Sequence, residues 1–349
     1  MMTAQTRPQE SCPICGQLGD VFLHDLKDKL FGVPGKWASQ RCRNGNCRSI
    51  WINPVIIEAE LYKAYANYYT HSDVSAGKYA SAAKPVGFRA LYDRFVKQSY
   101  WALRYDYGVP DTLIWSKYLG LLVYLIPNKS FYMDTNIMFL PAVKNGRVLD
   151  VGCGNGERLE LLKRLGWTVK GVDFDQNAVV AAMENGLDVD CGDLKSMNYP
   201  PDSFDAVIMS HVIEHVTHPR ELLMECARLL KPGGRLVMLT PNAESFGLDY
   251  YGRCWRGLEP PRHLQIFSQP ALEQIVKQVG LNIVTGKSMV GSHVLYASHA
   301  IKTGTPMNKG AAKLRMHNVL FVKWLTIVES LILWVRPNRG EILVVIATK

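Results

Sequence analysis

Between residues 147 and 241, short apolar runs alternate with amphipathic stretches. RVLDVG (147–152), TVKGVD (168–173), LDVDCGDL (187–194) and FDAVIMS (204–210) each read as a strand bounded by glycine or an acid. ERLELLKRLG, after the first of these, places Leu159, Leu161, Leu162 and Leu165 at helical spacing and stops at Gly166. A further helix closes on LLKPGG (229–234), where Pro232 is expected to end it and Gly233 and Gly234 to turn the chain into the next strand. EILVVIATK (341–349) reads as the last strand. Alternation of this kind predicts an α/β fold.

The flanks follow other patterns. IIEAELYKAYANYYTHSD (56–73) predicts a helix and then a loop. Its Tyr62, Tyr65, Tyr68 and Tyr69 suit either an acceptor pocket or packing against a core. LIWSKYLGLLVYLI (113–126) is apolar and ends at Pro127, but 14 residues with Lys117 inside are too few to span a bilayer. HNVLFVKWLTIVESLILWV (317–335) predicts a heavily apolar helix with Leu320, Trp324, Val328, Leu331 and Val335 on one face, bracketed by Lys313, Arg315, Arg336 and Arg339. Two readings stay open for 311–336: peripheral contact with an anionic membrane, or a packing or dimer helix closing the acceptor site.

Charge sharpens the division. The 349-residue chain has a net charge of +9. Residues 1–140 carry 16 basic and 11 acidic side chains, 141–290 carry 16 and 18, and 291–349 carry 8 and 2. The centre therefore does not look built to grip polyphosphate, while the flanks stay open to RNA or an anionic surface. The N-terminal residues lack a signal-peptide pattern, so a cytoplasmic protein is expected, with peripheral contact at the inner face of the membrane as its variant.

Four of the eight cysteines cluster early. CPICG (12–16) and RCRNGNC (41–47) set Cys12, Cys15, Cys42 and Cys47 as two knuckles suited to one structural Zn2+. A ribbon of about 50 residues needs such a staple, because its own core is small.

The loop GCGNG (152–156) decides the ligand class. A dinucleotide fingerprint, G-x-G-x-x-G, would put its third glycine at 157, where Glu157 stands. G-x-G-x-G after an acid, Asp150, is instead the pattern of S-adenosylmethionine (SAM) methyltransferases. With the strand-end acids Asp173 and Asp193 and the KPGG word, residues 148–290 and the last strand resemble a class I SAM-dependent methyltransferase. The resemblance implies that Gly152 and Gly154 admit the methionine and sugar parts of SAM, and that Asp150 faces its cationic end. It further implies that Asp173 accepts the ribose hydroxyls, that Phe174 and Leu194 flank adenine, and that Asp193 accepts from the adenine amino group. Cys153 and Ser210 complete the expected binding set.

HVIEH (211–215) matches a zinc-protease word, H-x-x-E-H, but follows a strand at the acceptor end of the sheet rather than lying on a helix. The similar E-x-x-E-H word of ubiquinone-type O-methyltransferases holds a divalent cation, with His211 here in place of the first Glu. Sugar methyltransferases with an N-terminal zinc ribbon carry a similar Glu-His pair as acid/base machinery, and the ribbon with YANYYTHSDVS resembles that group. An alcohol acceptor needs a base, and His215, His263 and Glu214 are the candidates.

These readings predict a Rossmann-like seven-stranded methyltransferase sheet with a small N-terminal zinc ribbon and helical insertions. The expected divisions are 1–54, a helical cap at 55–140, and 141–349 with a helical insert at about 291–340. The expected reaction is SAM-dependent methyl transfer to a hydroxyl, or a carbon, of a sugar, glycolipid or related small metabolite. The zinc, a divalent cation near Glu214 and His215, and a lipid-linked acceptor belong to the same expectation. An RNA methyltransferase is the first alternative, weakened because SHVIEH stands where a base-amine enzyme carries Asn-Pro-Pro-aromatic. A non-catalytic SAM-binding scaffold is the second.

Overall fold

A computed structural model describes residues 4–65, 92–108, 114–125, 128–308, 311–312 and 314–349. The strands are β1 (Gly19–Leu26), β2 (Trp37–Cys42), β3 (Ile50–Asn53), β4 (Arg147–Val151), β5 (Thr168–Asp173), β6 (Val189–Cys191), β7 (Phe204–Ser210), β8 (Leu230–Pro241), β9 (Gln265–Ile266), β10 (Asn282–Met289) and β11 (Ile342–Thr348). The helices are α1 (Gln98–Tyr105), α2 (Lys129–Asn136), α3 (Glu157–Arg164), α4 (Gln176–Glu184), α5 (Pro219–Leu229), α6 (Phe246–Tyr251), α7 (Gln269–Gln278), α8 (Ser292–Thr303) and α9 (Met316–Val335).

Seven strands form one sheet in the order β10-β11-β8-β7-β4-β5-β6. β4 and β5 pair in parallel from Arg147↔Thr168 to Val151↔Val172, and β5 pairs in parallel with β6. β10 and β11 pair antiparallel, from Asn282↔Thr348 to Met289↔Ile342. β4 and β11 are buried over nearly their whole length, as near-continuous apolar strands must be when both faces are covered. The α/β alternation read from the apolar runs and the seven-stranded sheet implied by the resemblance are both present. Local chemistry sets helix starts: Asp175 caps α4 by accepting from Asn177 N at 3.0 Å, and Ser268 caps α7 with Pro270 in its first turn. One stop differs from expectation. α5 ends at Leu229, and the extended run of β8 already includes Pro232, so the proline follows the helix end instead of making it.

The chain divides into two compact units. One holds the residues up to 65 with 209–227 and the stretch from 238 onward; the other holds 92–208 and 228–237. The boundaries read from the sequence at 54 and 140 follow different lines. In the first unit, a four-stranded sheet runs β9-β3-β2-β1. Its residues 58–65 form a 3-10 helix, with Tyr65 buried and Tyr62 exposed. Tyr68, Tyr69 and most of YANYYTHSDVS, like Lys313, lie outside the described residues. In the second unit, 114–125 is a 3-10 helix, and its Gly120 sits directly on the backbone of Tyr100 in α1.

Candidate active site

The glycine loop leaves β4 and enters α3. Gly152, Gly154 and Gly156 all have positive φ (70°, 55° and 78°), which explains glycine at alternate positions. A Cβ on Gly154 would meet nothing within 4 Å, so the loop is open on that side; one on Gly156 would strike Leu187, so that glycine serves packing.

Asp150, on β4, is fully buried, and neither carboxylate oxygen has a hydrogen-bond partner. Its closest cation is Arg158, with Nη1 3.7 Å from Oδ2. Burial pushes its carboxyl up to about 6, against the pull of Arg158. A buried, unsatisfied carboxylate at a glycine loop is a ready partner for a cationic group, which fits the ammonium or sulfonium of the expected cofactor. Asp173, at the end of β5, is also nearly buried. Its Oδ2 accepts from Gly154 N at 2.7 Å and its Oδ1 from Asp175 N at 2.9 Å, so the acid positions the loop and keeps one lone pair per oxygen for a ligand. Phe174 is exposed, Leu194 buried and Cys153 buried. Asp193 is exposed and uses one oxygen to cap residues 194–197, accepting from Lys195 N at 3.0 Å.

The second cluster, in the other unit, follows β7. Ser210 ends that strand, and His211 takes a left-handed backbone (φ 57°), with its N–H on Leu239 O at 2.8 Å. This sharp exit, not a helix, carries HVIEH. Glu214 is fully buried, with Oε2 accepting from Thr240 Oγ1 at 2.9 Å and Oε1 facing His211 Nδ1 at 3.2 Å. Burial raises its carboxyl, but the His211 hydrogen bond and the surrounding imidazoles outweigh it and hold the group near 2. His215 and His263 stack edge to face with ring centres 4.6 Å apart. Burial drives His215 down to about 4 despite Glu214 beside it, and drives His263 well below its ordinary value.

His215 Nδ1 faces Arg262 O at 3.2 Å and Tyr65 Oη at 2.9 Å. A carbonyl only accepts, so Nδ1 carries the proton and Nε2 the lone pair. His263 is more committed: Nδ1 donates to Gly257 O at 2.6 Å, and Nε2 lies 3.6 Å from Glu259. One donor atom from each of Glu214, His215 and His263 lies within 4.8 Å of the others, close enough to share a cation.

Beneath this cluster runs an ion network that sequence reasoning missed. Arg262, fully buried, binds Asp28 through two nitrogens (2.9 and 3.0 Å), Glu259 through Nε (2.8 Å) and Ala64 O (3.1 Å). Its guanidinium also lies over the Phe31 ring. Asp28 is 234 positions away in sequence, so no local spacing announces the pair.

The cysteines converge. Cys12 and Cys15 precede β1, Cys42 ends β2, and Cys47 lies in the following turn. Cys15 Sγ is 3.4 Å from Cys42 Sγ, Cys12 Sγ is 3.7 Å from Cys47 Sγ, and all four sulfurs lie within 4.8 Å of one another. A tetrahedral Zn2+ with ~2.3 Å bonds has sulfur–sulfur edges of about 3.8 Å, so the donor set fits that ion.

A family model described as "Methyltransferase domain" matches residues 129–285. Among curated relatives, the ubiquinone biosynthesis O-methyltransferase of Maricaulis maris is 39% identical over 120 residues, covering 31% of this chain and 46% of that protein. The protein of the same name from Xanthomonas euvesicatoria pv. vesicatoria is 34% identical over 174 residues, covering 46% of this chain and 70% of that protein. The chain spans about half the length of the first of these relatives. A solved SAM-dependent methyltransferase from Archaeoglobus fulgidus aligns with a TM-score of 0.42 at 21% identity, over 66% of this chain and 94% of that one.

Proposed function

We propose that this chain, which belongs to the class I SAM-dependent methyltransferases, transfers a methyl group to a hydroxyl oxygen of a small molecule. The observation that carries the reading is His215: a neutral imidazole whose Nδ1 is held by a carbonyl and whose Nε2 is left for a substrate proton. SAM, when bound, supplies a methyl group already activated by its sulfonium. The chain's own task is to align the acceptor and take its proton.

In this reading Asp150 binds the cationic end of SAM, and the loop of Gly152, Cys153 and Gly154 lies along it. Asp173 accepts from the ribose, Phe174 and Leu194 flank the adenine, Asp193 accepts from its amino group, and Ser210 lines the methionine end. Glu214, charged and desolvated beside His215, stabilises the imidazolium that forms when the proton arrives. A base held near 4 is weak, which suits an acidic hydroxyl such as a phenol better than an aliphatic alcohol. The names of the curated relatives support oxygen as the acceptor atom.

The competing use of Glu214, His215 and His263 is to hold a divalent cation. Each Glu214 oxygen accepts one hydrogen bond, from His211 or Thr240, and keeps a lone pair, so chelation and not geometry separates the two uses. The four-cysteine cluster supports two further parts of the proposal. One is a structural Zn2+ on Cys12, Cys15, Cys42 and Cys47. The other, a second reading of the acceptor, is a sugar or glycolipid hydroxyl, by resemblance to methyltransferases that carry such a ribbon.

The test is S-adenosylhomocysteine release from SAM with four acceptor sets: simple phenols and catechols, aqueous metabolites, extracted lipids and total RNA, each with and without EDTA. Turnover on phenols that survives EDTA supports the proposal. Turnover only on metabolite or lipid fractions moves the acceptor to the second reading. Turnover on RNA alone, or SAM binding with no turnover on any set, overturns the small-molecule assignment. Loss with EDTA and rescue by Mg2+ overturns the base reading.

A further inference from the structure

We propose that the outer face of α9, Met316–Val335, docks in the plane of an anionic lipid bilayer.

α9 is apolar on two sides. Val322, Leu325 and Glu329 are buried on one of them. Glu329 Oε1 accepts from Glu341 N at 3.0 Å and from Gly291 N at 3.4 Å, so the inner side is tied to the protein by polar bonds as well as by packing. On the other side, Leu320, Trp324, Ile327, Leu331 and Trp334 are all more than half exposed, Trp334 at 89%. Their spacing of 4, 3, 4 and 3 keeps them within an arc of roughly 80° at 100° per residue, opposite the buried side. Met316 and Val335 extend the stripe at either end. A continuous apolar face of this length is the mark of an interaction surface.

Length and hydropathy alone would let these 20 residues cross a membrane. Glu329 argues against crossing: leaving the protein would strip its hydrogen bonds and put a carboxyl in hydrocarbon. The helix therefore presents one face to lipid while the other stays on the protein.

Charge selects the occupant. The only acids of residues 291–349 are Glu329 and Glu341, and both are fully buried. Arg315, Lys323 and Arg336 are exposed and form no ion pair with an acid among the described residues. Cations thus stand at both ends of the stripe and along its border. Two copies meeting through this face would oppose like charges, whereas anionic headgroups complement it. Trp324 and Trp334 suit the headgroup boundary, where an indole places its ring in the apolar layer and its N–H in the polar one. Beside the stripe, Val328, Leu331, Ile332, Val335 and Phe246 line an open groove of about 430 Å³ together with Arg336 and with Arg339, which pairs with Asp249.

The experiment is co-sedimentation of the full chain with phosphatidylcholine vesicles, with and without phosphatidylglycerol, over a salt series. The expected result is partition only with phosphatidylglycerol, weakened by salt, with tryptophan emission quenched by brominated acyl chains. Arg315→Gln and Arg336→Gln should each weaken partition about five-fold. Trp324→Glu should abolish it while SAM binding and the melting temperature are kept, which excludes misfolding. Partition with phosphatidylcholine alone, resistance to carbonate extraction, or no partition by the folded chain would each overturn the proposal. So would a dimer in light scattering that Trp324→Glu dissociates.

Discussion

Tyr65 Oη lies 2.9 Å from His215 Nδ1, the ring nitrogen that also faces the carbonyl of Arg262. The pair fixes the ring and its tautomer, so the two residues should fail to different degrees. His215→Ala removes the proton acceptor and should lower kcat by about 10²–10⁴-fold with SAM affinity unchanged. Tyr65→Phe removes one hydrogen bond to an intact imidazole and should cost about three- to ten-fold. Steady-state kinetics beside calorimetric SAM titration checks both; equal losses in the two variants would show that Tyr65 does more than orient.

The acid limb should be displaced. Burial holds His215 near 4 in the folded protein, below the 6.5 of a free imidazole. The neutral base therefore persists as pH falls, and with SAM saturating at every pH kcat should stay level from pH 7 to 5 and drop only near 4. Stability runs with the same sign. The unfolded chain binds this proton first, so the contribution of His215 is complete above 6.5 and is lost as pH falls through the window to 4. An activity profile that breaks near 6.5 would contradict the burial argument.

Asp150 should govern SAM affinity and its pH dependence. Its carboxyl sits near 6 because it is buried, above the 3.8 of a free aspartate. A cationic ligand prefers the ionised form, so SAM affinity should rise between pH 5 and 7 and level off above. Asp150→Asn should weaken SAM binding by about 10–100-fold, the loss of a charge-assisted contact, and flatten that rise. Without ligand the same variant should melt higher at pH 8, since a buried charge with no hydrogen-bond partner is gone.

Arg262 should be among the least replaceable side chains. Arg262→Met leaves Asp28 buried without its cation and Glu259 with Arg256 alone, and removing one partner of such a network costs about 3–5 kcal/mol. Chemical denaturation should show that loss. The double variant that adds Asp28→Leu should recover much of it, because Glu259 keeps Arg256 and no buried charge is left without a partner.

Zinc should be structural. One equivalent per chain is expected by elemental analysis, falling to none in Cys47→Ser. The melting temperature should drop by more than about 5 °C, as removal of a staple from a small sheet implies. Loss of metal with an unchanged melting curve would make the cluster four reduced thiols.

What was legible in the sequence is what lies close together along it. Gly152, Gly154 and Gly156 fall within five residues, and their backbone geometry follows from spacing alone. Glu214 and His215 adjoin, so the pair was visible, but their partners Thr240, Tyr65 and Arg262 come from distant segments. His263 was visible only as a histidine in a loop; its bond to Gly257 O depends on how that loop folds back. The helix at 317–335 shows a subtler limit. Periodicity put Val328 in the leading stripe, whereas Ile327 and Trp334 are exposed and Val328 is half-buried. A helix with two apolar faces has no single direction in its period, and the burial of Glu329 decides which face turns inward.

The position of β11 carries a consequence for biosynthesis. Ile342–Thr348 lies between β8 and β10, yet it is the last of the seven strands to be made. About a hundred residues separate it from the end of β8. While the ribosome makes them, β8 keeps an open edge of unsatisfied amides and carbonyls, and β10 has no partner to pair with. The half of the sheet that carries the glycine loop can form early, but the other half must wait. A nascent chain in that interval is a client for a chaperone holdase, and a ribosome stalled before residue 342 would expose a sheet edge ready for the wrong neighbour.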